Sequence, residues 1–555
     1  MRIKIAGASL LAVSLLGREP VHSRNGMVVT EEPLAADVGL AVLKAGGNAI
    51  DAAVAVGFAL AVTYPFAGNI GGGGFLLARF ADGRTAFIDF RETAPRAATR
   101  DMYVNAQGQV SQDSVAGWRA SGVPGTVRGL ELAHQKYGHK PWAELVEPAV
   151  KLASSGLPVS YALATSLHND EHSALLSQFP ESKRIFLGVQ YGDQLVQPEL
   201  AAVLKRIRDQ GARGFYEGET ARKLASAMQA HGGLITLEDL KDYRAVEREP
   251  LRGRYRDCEI ITAPPPSAGG VGLLQMLGML EGSGYEKSGA GSAASIHYVA
   301  EVMRRFFADR SEYFGDPDFY KVPVKKLLDP RYIASRRASI DPEHATPSEQ
   351  IRPGNLTAYE GSETTHYDII DHEGNAVAVT YTLNNGYGSG VTVPGLGFLL
   401  NDEMDDFAAK PGEENMFHLV QGEANAIQPG KRPVSGMTPT ILLRDGKLFM
   451  VLGAPGGARI PNAVLQVILN VVDFHMNIQD AVDWPRFHHQ WMPDQLYVEQ
   501  GISPDTIAIL RGMGYQIAPF EGTAPVIARV QAILIDGGWL EGAPDRRDDA
   551  KAEGY

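Results

Sequence analysis

The chain has 555 residues, 44% of them hydrophobic and 21% charged, a globular composition with ample material for a large core. Its net charge of −13, without clustered Lys and Arg, excludes a polyanion partner such as nucleic acid, which needs a basic face. The one cysteine, Cys258, excludes an intrachain disulfide and a thiolate metal site within one chain, and reads as a packed core thiol.

Met1-Arg2-Ile3-Lys4 followed by the apolar run 5–17 has the order of an export leader, basic and then apolar, and is too short to span a bilayer as a folded helix. Residues 1–24 are accordingly taken as a leader, with no clean small-x-small cleavage signal after it. The expected location is periplasmic or secreted, and the mature protein is expected to be free of the membrane. From 34 to 62 apolar residues recur at helical spacing, broken by Gly46-Gly47-Asn48, which predicts two packed helices with a stop and a new N-cap between them. Next come Gly71-Gly72-Gly73-Gly74 and a predicted strand over 75–80. A phosphate loop runs strand, glycines, helix, whereas the order here is helix, glycines, strand, so a nucleotide site is set aside.

Helical patterns dominate 127–230, and Pro264-Pro265-Pro266-Ser267-Ala268-Gly269-Gly270 predicts a rigid loop before a further helix. Between 341 and 363 the composition turns to Pro, Ser, Glu and Thr without an apolar period, which predicts an exposed linker that is easily cut. It ends at Thr364-Thr365-His366-Tyr367, where an alternating run begins, turns at Asp371-His372-Glu373-Gly374-Asn375 and returns through 376–383, a predicted β-hairpin. Alternating segments continue through 441–443 and 449–452.

A threonine at the head of that hairpin becomes a nucleophile if the chain is cut before it. The new α-amine, with an ordinary pKa near 8, lies within reach of the same residue's hydroxyl, so one residue supplies nucleophile and base. Amide cleavage also needs donors for the tetrahedral oxygen. Gly456-Gly457 offers two successive N–H groups with no side chain in the way. Thr382 and Asn384 lie on the return strand, where both can approach Thr364. His488-His489 are adjacent and face opposite ways on a strand, with no third ligand at metal spacing. No Gly-x-Ser-x-Gly elbow is present, which disfavours a serine α/β-hydrolase.

Glu363-Thr364-Thr365-His366-Tyr367, Thr380-Tyr381-Thr382-Leu383-Asn384, Asn401-Asp402-Glu403-Met404-Asp405-Asp406-Phe407, Lys431-Arg432-Pro433, Pro455-Gly456-Gly457 and Arg486-Phe487-His488-His489-Gln490 together resemble the γ-glutamyltransferase family. Gly46 to Asp51, Gly71 to Phe75 and Asp89-Phe90-Arg91-Glu92 extend the likeness over nearly all of the chain after about Asn25. The resemblance implies an N-terminal-nucleophile hydrolase: an α/β fold, a four-layer αββα sandwich formed jointly by two autoproteolytic fragments. It sets the scissile bond at Glu363-Thr364, with a large-subunit portion over 25–363 and a small-subunit portion over 364–555. No cofactor and no metal are implied.

On that resemblance Thr364 is the catalytic residue, Thr382 orients it, and Gly456 and Gly457 hold the oxyanion. Arg91 and Ser435 take the α-carboxylate of a γ-glutamyl donor, an arginine fork suiting a carboxylate. Glu403 and Asp406, with Asn384, take its α-ammonium, so the pocket is expected to hold opposite charges apart. The donors implied are glutathione and other γ-glutamyl compounds, and the acceptors are water, amino acids or dipeptides. Ser435-Gly436-Met437 has one serine where the family commonly has two, and Phe417 stands in the lid segment where related bacterial enzymes often have tyrosine. Asp406, which relatives acting as glutaryl or cephalosporin acylases tend to lack, is kept. An acylase of the same fold and an unprocessed binding protein are the alternatives.

Overall fold

The computed structural model describes residues 18–353, 364–410, 422–519 and 526–555. The apolar run of the leader, Glu363, and Phe417 with most of its lid segment lie outside the described residues.

The Ala-rich stretch folds as two helices, Pro33–Lys44 and Ala49–Thr63. Gly46 turns the chain between them at φ +81°, a left-handed conformation that suits glycine. Asn48 then caps the second helix reciprocally: its side chain accepts from the Asp51 amide, and the Asp51 carboxylate accepts from the Asn48 amide. Every residue of the second helix is buried, as an all-round apolar helix requires.

Two antiparallel sheets of seven strands form the centre. The first runs, edge to edge, Lys551–Gly554, Met27–Thr30, Thr365–Ile370, Ala376–Thr382, Gly73–Arg79, Thr85–Asp89 and Val246–Arg248. The second runs Val21–Ser23, Trp539–Ala543, Gln531–Asp536, Lys447–Gly453, Thr440–Arg444, Cys258–Thr262 and Leu251–Tyr255. Strand alternation divides the side chains of the first sheet. Tyr367, Ile369, Val377 and Val379 pack with the helix pair, whereas Phe75, Leu77, Ala376 and Ala378 share a core with Val451 and Ile533 of the second sheet. Gly269–Leu280, Ala293–Tyr313 and Ile460–Val472 add their apolar faces to that same core. The layers therefore stack helix, sheet, sheet, helix, the four-layer sandwich expected. Among the described residues no helix is long and apolar enough to cross a membrane.

Three local outcomes differ from the expectations. The helix after the triple proline starts at Gly269, inside the stretch taken as loop; Ser267 Oγ accepts from the Gly269 amide at 3.0 Å, and a Cβ on Gly269 would collide with Thr438 and Gly436. The early part of the 341–363 segment is mostly exposed, as expected, but it is anchored to the body of the protein, with Ser348 and Ile351 buried. Thr346 donates to Glu301 at 2.7 Å, Ser348 N to Asp494 at 2.8 Å, and the Trp491 indole donates to the Ser348 and Ile351 carbonyls; polar anchors replace the apolar period that the segment lacks. Val21–Ser23, placed in the leader from sequence, pair with Leu540–Gly542, so a mature chain beginning at Asn25 forgoes an edge strand.

Both sheets combine strands from before and after residue 364. Thr365–Ile370 and Ala376–Thr382 lie between Met27–Thr30 and Gly73–Arg79, so separating the two portions means breaking central ladders. Protein cut before Thr364 is therefore expected to elute as one particle under native conditions and to resolve into two fragments only in denaturant, as size-exclusion chromatography coupled to mass measurement will read.

Candidate active site

The central hairpin places Thr364. Thr365 pairs with Tyr381, so one further step sets Thr364, 4% exposed, opposite Thr382. Thr364 shares a strand face with His366, whose ring lies so close to Gly453 that a Cβ there would sit 2.3 Å from it. That face is the one turned toward the second sheet. Gly456 and Gly457 follow Gly453 at the same end of the sandwich and lead into Ile460–Val472. Both have positive φ, +127° and +59°, and a Cβ on Gly456 would meet Ala528 at 2.7 Å; only glycine keeps this turn unstrained. The start of a helix adds positive potential there.

Thr382 is held from both sides. Its carbonyl accepts from Asn69 Nδ2 at 2.8 Å and its hydroxyl accepts from the Asn384 amide at 2.8 Å. Asn384 stands at φ +78°, a conformation asparagine tolerates better than most, and its Nδ2 donates to the Asp402 carbonyl at 3.1 Å. The hairpin is thereby tied to the acidic segment.

Arg91, just past Thr85–Asp89, is buried and ion-pairs with Glu403 through Nη1 and with Asp406 through Nη2. Its guanidinium also donates to the carbonyls of Pro433 at 3.3 Å and Val434 at 3.0 Å. Glu403–Asp406 forms a 3₁₀ turn, in which side chains three apart eclipse, and this brings both carboxylates onto one guanidinium. The opposite charges expected to stand apart are thus in contact, as buried charges must be paired. Glu403 Oε2 and Asp406 Oδ1 remain buried without a hydrogen bond. Ser435 follows Val434 directly; its hydroxyl accepts from Met437 N at 3.2 Å, and its backbone is fastened to Pro266, Ser267 and Ala268.

Several residues that matter here were not singled out from sequence. Glu92, fully buried and 3.6 Å from the Arg91 guanidinium, adds a third carboxyl to one cation. Burial pushes it up to about 8, against the pull of Arg91, and burial also holds Glu403 well above the usual carboxylate range. Asn401 pins the acidic turn: its Oδ1 accepts from Gly122 N and Glu403 N, and its Nδ2 donates to the carbonyls of Gly71 and Gly122. The glycine tract serves close approach, since a Cβ on Gly72 would lie 1.9 Å from the Thr382 carbonyl oxygen. Between the sheets His366 bonds Thr380 at 2.8 Å and Asp368 at 3.0 Å. The glycine tract and the His-Tyr-Asp alternation were visible signals; Asn401 and Glu92 stood inside the quoted motifs without a role until the fold set Glu92 beside Arg91 and Asn401 across the acidic turn.

His488 and His489 point to different partners, Asn462 with Gln490 and Asp494 respectively. Among the described residues no group of three or more His, Cys, Asp or Glu is placed to hold a metal.

Residues 35–555 match the family described as gamma-glutamyltranspeptidase. The chain belongs to the γ-glutamyltranspeptidase family. A glutathione hydrolase proenzyme of Escherichia coli (strain K12) is 48% identical over 544 residues, 97% of this chain and 93% of that protein. An acylase ACY 1 proenzyme of Pseudomonas sp. (strain V22) is 40% identical, over 84% of this chain and 83% of that one. Among solved structures, a cephalosporin acylase from Bacillus halodurans superposes with TM-score 0.87 at 28% identity and covers 99% of each chain. The Helicobacter pylori γ-glutamyltranspeptidase gives 0.57 at 43% identity, over 64% of this chain and 97% of that one.

In this γ-glutamyltranspeptidase, Glu92 makes the fold pH-dependent. Its carboxyl keeps a proton in the folded state up to about 8 but loses it near 4.5 when unfolded. The folded state binds more protons across that window, so stability falls as pH rises through it. Glu92→Gln is expected to flatten that fall, as melting temperatures measured from pH 5 to pH 8.5 for both proteins will show.

Proposed function

We infer that this chain, an enzyme of the γ-glutamyltransferase and glutathione hydrolase kind made as a proenzyme, works through Thr364. We propose that scission of Glu363-Thr364 frees the Thr364 α-amine, and that Thr364 then carries the reaction. Its hydroxyl oxygen attacks the γ-carbonyl of the donor while the amine takes the hydroxyl proton. Negative charge on the tetrahedral oxygen is met by the Gly456 and Gly457 amides; one such donor is typically worth about 3 to 4 kcal/mol of barrier. Collapse breaks the C–N bond, the leaving amine takes the proton from the Thr364 nitrogen, and a γ-glutamyl-Thr364 ester remains. Water or an amino acid or dipeptide amine then attacks the ester, giving glutamate or a new γ-glutamyl amide and restoring the hydroxyl. Thr382 orients the nucleophile.

The observation that carries this reading is the alignment of Thr364 with the buried Arg91, Glu403 and Asp406 cluster at one end of one sheet. Thr364 heads the third strand and Arg91 follows the sixth. At about 4.8 Å per strand these are roughly 14 Å apart, a gap that a glutamyl chain and an arginine side chain span together. Arg91 and Ser435 bind the α-carboxylate. Glu403 Oε2 and Asp406 Oδ1, with Asn384, receive the α-ammonium, which supplies the donors those oxygens lack. Periplasmic or secreted placement is proposed from the basic and apolar start of the chain.

A second reading, an acylase of the same fold for glutaryl or cephalosporin-type side chains, draws on the likeness to the Pseudomonas acylase proenzyme and on Gly436. A third, an uncut binding protein, requires an intact chain and no burst of product. The two carboxylates on Arg91 favour the first reading, because a glutaryl group has no ammonium to satisfy them.

Intact mass of purified protein is expected to show two fragments split before Thr364, and Thr364→Ala to remain a single chain without amidase activity; an uncut, fully active protein contradicts the mechanism. Asp406→Asn is expected to lower kcat/KM for γ-glutamyl-p-nitroanilide by about 100-fold or more, the scale of a lost buried charge pair, with a much smaller effect on glutaryl-p-nitroanilide. Equal losses on both substrates argue that Asp406 serves the fold rather than the ammonium.

A further inference from the structure

Lys431, first residue of the Lys431-Arg432-Pro433 motif, takes no part in the reaction above, yet it is only 1% exposed. Its Nζ donates to the carbonyls of Ala424 at 2.7 Å and Ala426 at 2.9 Å. Burial brings the amine down to about 8, against the pull of Asp316 and Glu423. Both acids have partners of their own, Asp316 accepting from Arg432 N at 2.8 Å and Glu423 from Arg100 Nε at 3.0 Å. Burying an ammonium is costly unless its donors are met, and here two backbone oxygens meet them.

The residue between those two carbonyls is Asn425. Its Nδ2 donates to the Asp406 carbonyl at 2.6 Å, its Oδ1 accepts from Val434 N at 3.2 Å, and its own carbonyl accepts from Ala408 N at 3.0 Å. Asn425 thereby joins the two sides of the charge cluster, Asp406 on one and Val434, whose carbonyl receives Arg91, on the other. Gly315 closes the space beside Ala424, since a Cβ there would lie 2.6 Å from the Ala424 carbonyl oxygen. With carbonyls 424 and 426 fastened to one ammonium, the Asn425 side chain keeps a single direction. Without Nζ two buried oxygens lose their donor, and the turn is free to shift and carry Asp406 with it. Groups that bind a ligand need to be held within about 0.5 Å by such an outer layer of contacts.

We propose that Lys431 is a positioning residue for recognition of the donor's α-ammonium: it fastens the 424–426 turn so that Asn425 holds Asp406 in place on Arg91. The inference rests on the donor pose proposed above, in which Asp406 receives the ammonium. The effect falls on donor binding rather than on chemistry at Thr364, because the bonds of the Lys431 ammonium lead to the recognition turn and not to the nucleophile hairpin.

The test measures γ-glutamyl-p-nitroanilide and glutaryl-p-nitroanilide on the wild-type enzyme, Lys431→Met, Asn425→Ala and the double variant, with intact mass confirming that each chain is cut. Lys431→Met, which keeps the side-chain bulk without the donors, is expected to raise KM for the γ-glutamyl donor about tenfold with kcat within about threefold, the pattern of lost ground-state binding. Its kcat/KM for the glutaryl donor is expected to change much less. Asn425→Ala is expected to repeat the pattern, and the double variant to be no worse than Asn425→Ala alone, because residues acting through one another do not add. Additive effects, equal losses on both donors, or a wild-type KM in Lys431→Met overturn the assignment. If Lys431→Met stays uncut, Lys431→Gln, which retains an amide donor, is read in the same way; failure of both to be cut gives Lys431 to folding alone and likewise overturns it. A wild-type enzyme that does not prefer the γ-glutamyl donor overturns the donor pose itself, and one without a burst of p-nitroaniline overturns the Thr364 reading.

Discussion

The antiparallel hairpin of Thr365–Ile370 and Ala376–Thr382, held between Met27–Thr30 and Gly73–Arg79, is the constraint on which the rest depends. Its register sets Thr364 opposite Thr382, and its alternation turns Thr364 and His366 toward the second sheet. A one-residue slip would exchange the two faces of the hairpin, carrying Thr364 to the helix side and burying His366 and Asp368 among the apolar residues around Tyr367. The same interleaving explains how cleavage next to residue 364 is compatible with one folded particle. Each sheet contains strands from both portions, so the fold does not rely on the severed peptide bond.

A second requirement is the placement of charge where water is excluded. Three carboxyls around one guanidinium, all buried, exceed what a single cation neutralises; burial, with a smaller push from the neighbouring carboxylates, displaces Glu92 and Glu403 upward. Such a cluster contributes little net stability. It does hold two buried acceptor oxygens, Glu403 Oε2 and Asp406 Oδ1, in fixed positions. The 3₁₀ turn, the four hydrogen bonds of Asn401 and the two carbonyls that receive Arg91 keep that arrangement rigid.

Much of the scaffold was legible in the chain because it rests on local rules. The Gly46 stop and the Asn48 cap follow from backbone sterics and capping chemistry, and the hairpin follows from a period of two. The docked segment near Ser348 was not legible. Its anchors are Glu301, Asp494 and Trp491, distant in sequence, so polar composition looked the same as an exposed linker. Glu92 was equally silent, since an acid beside an arginine in sequence carries no sign of whether both will be buried. Asn401 and Asn69 had no assigned role because side-chain amides become structural pins only after three backbone segments converge on them.

Periodicity, glycine placement and the threonine at the hairpin head were thus properties of the sequence alone, each set by interactions within a few residues. Tertiary structure decided the rest: that Arg91 contacts Glu403 and Asp406 more than 300 residues away, and that the glycine tract admits a carbonyl rather than a phosphate. These depend on which surfaces exclude water together, a condition met only when distant segments share one interior and leave each buried charge or carbonyl no partner but another part of the chain.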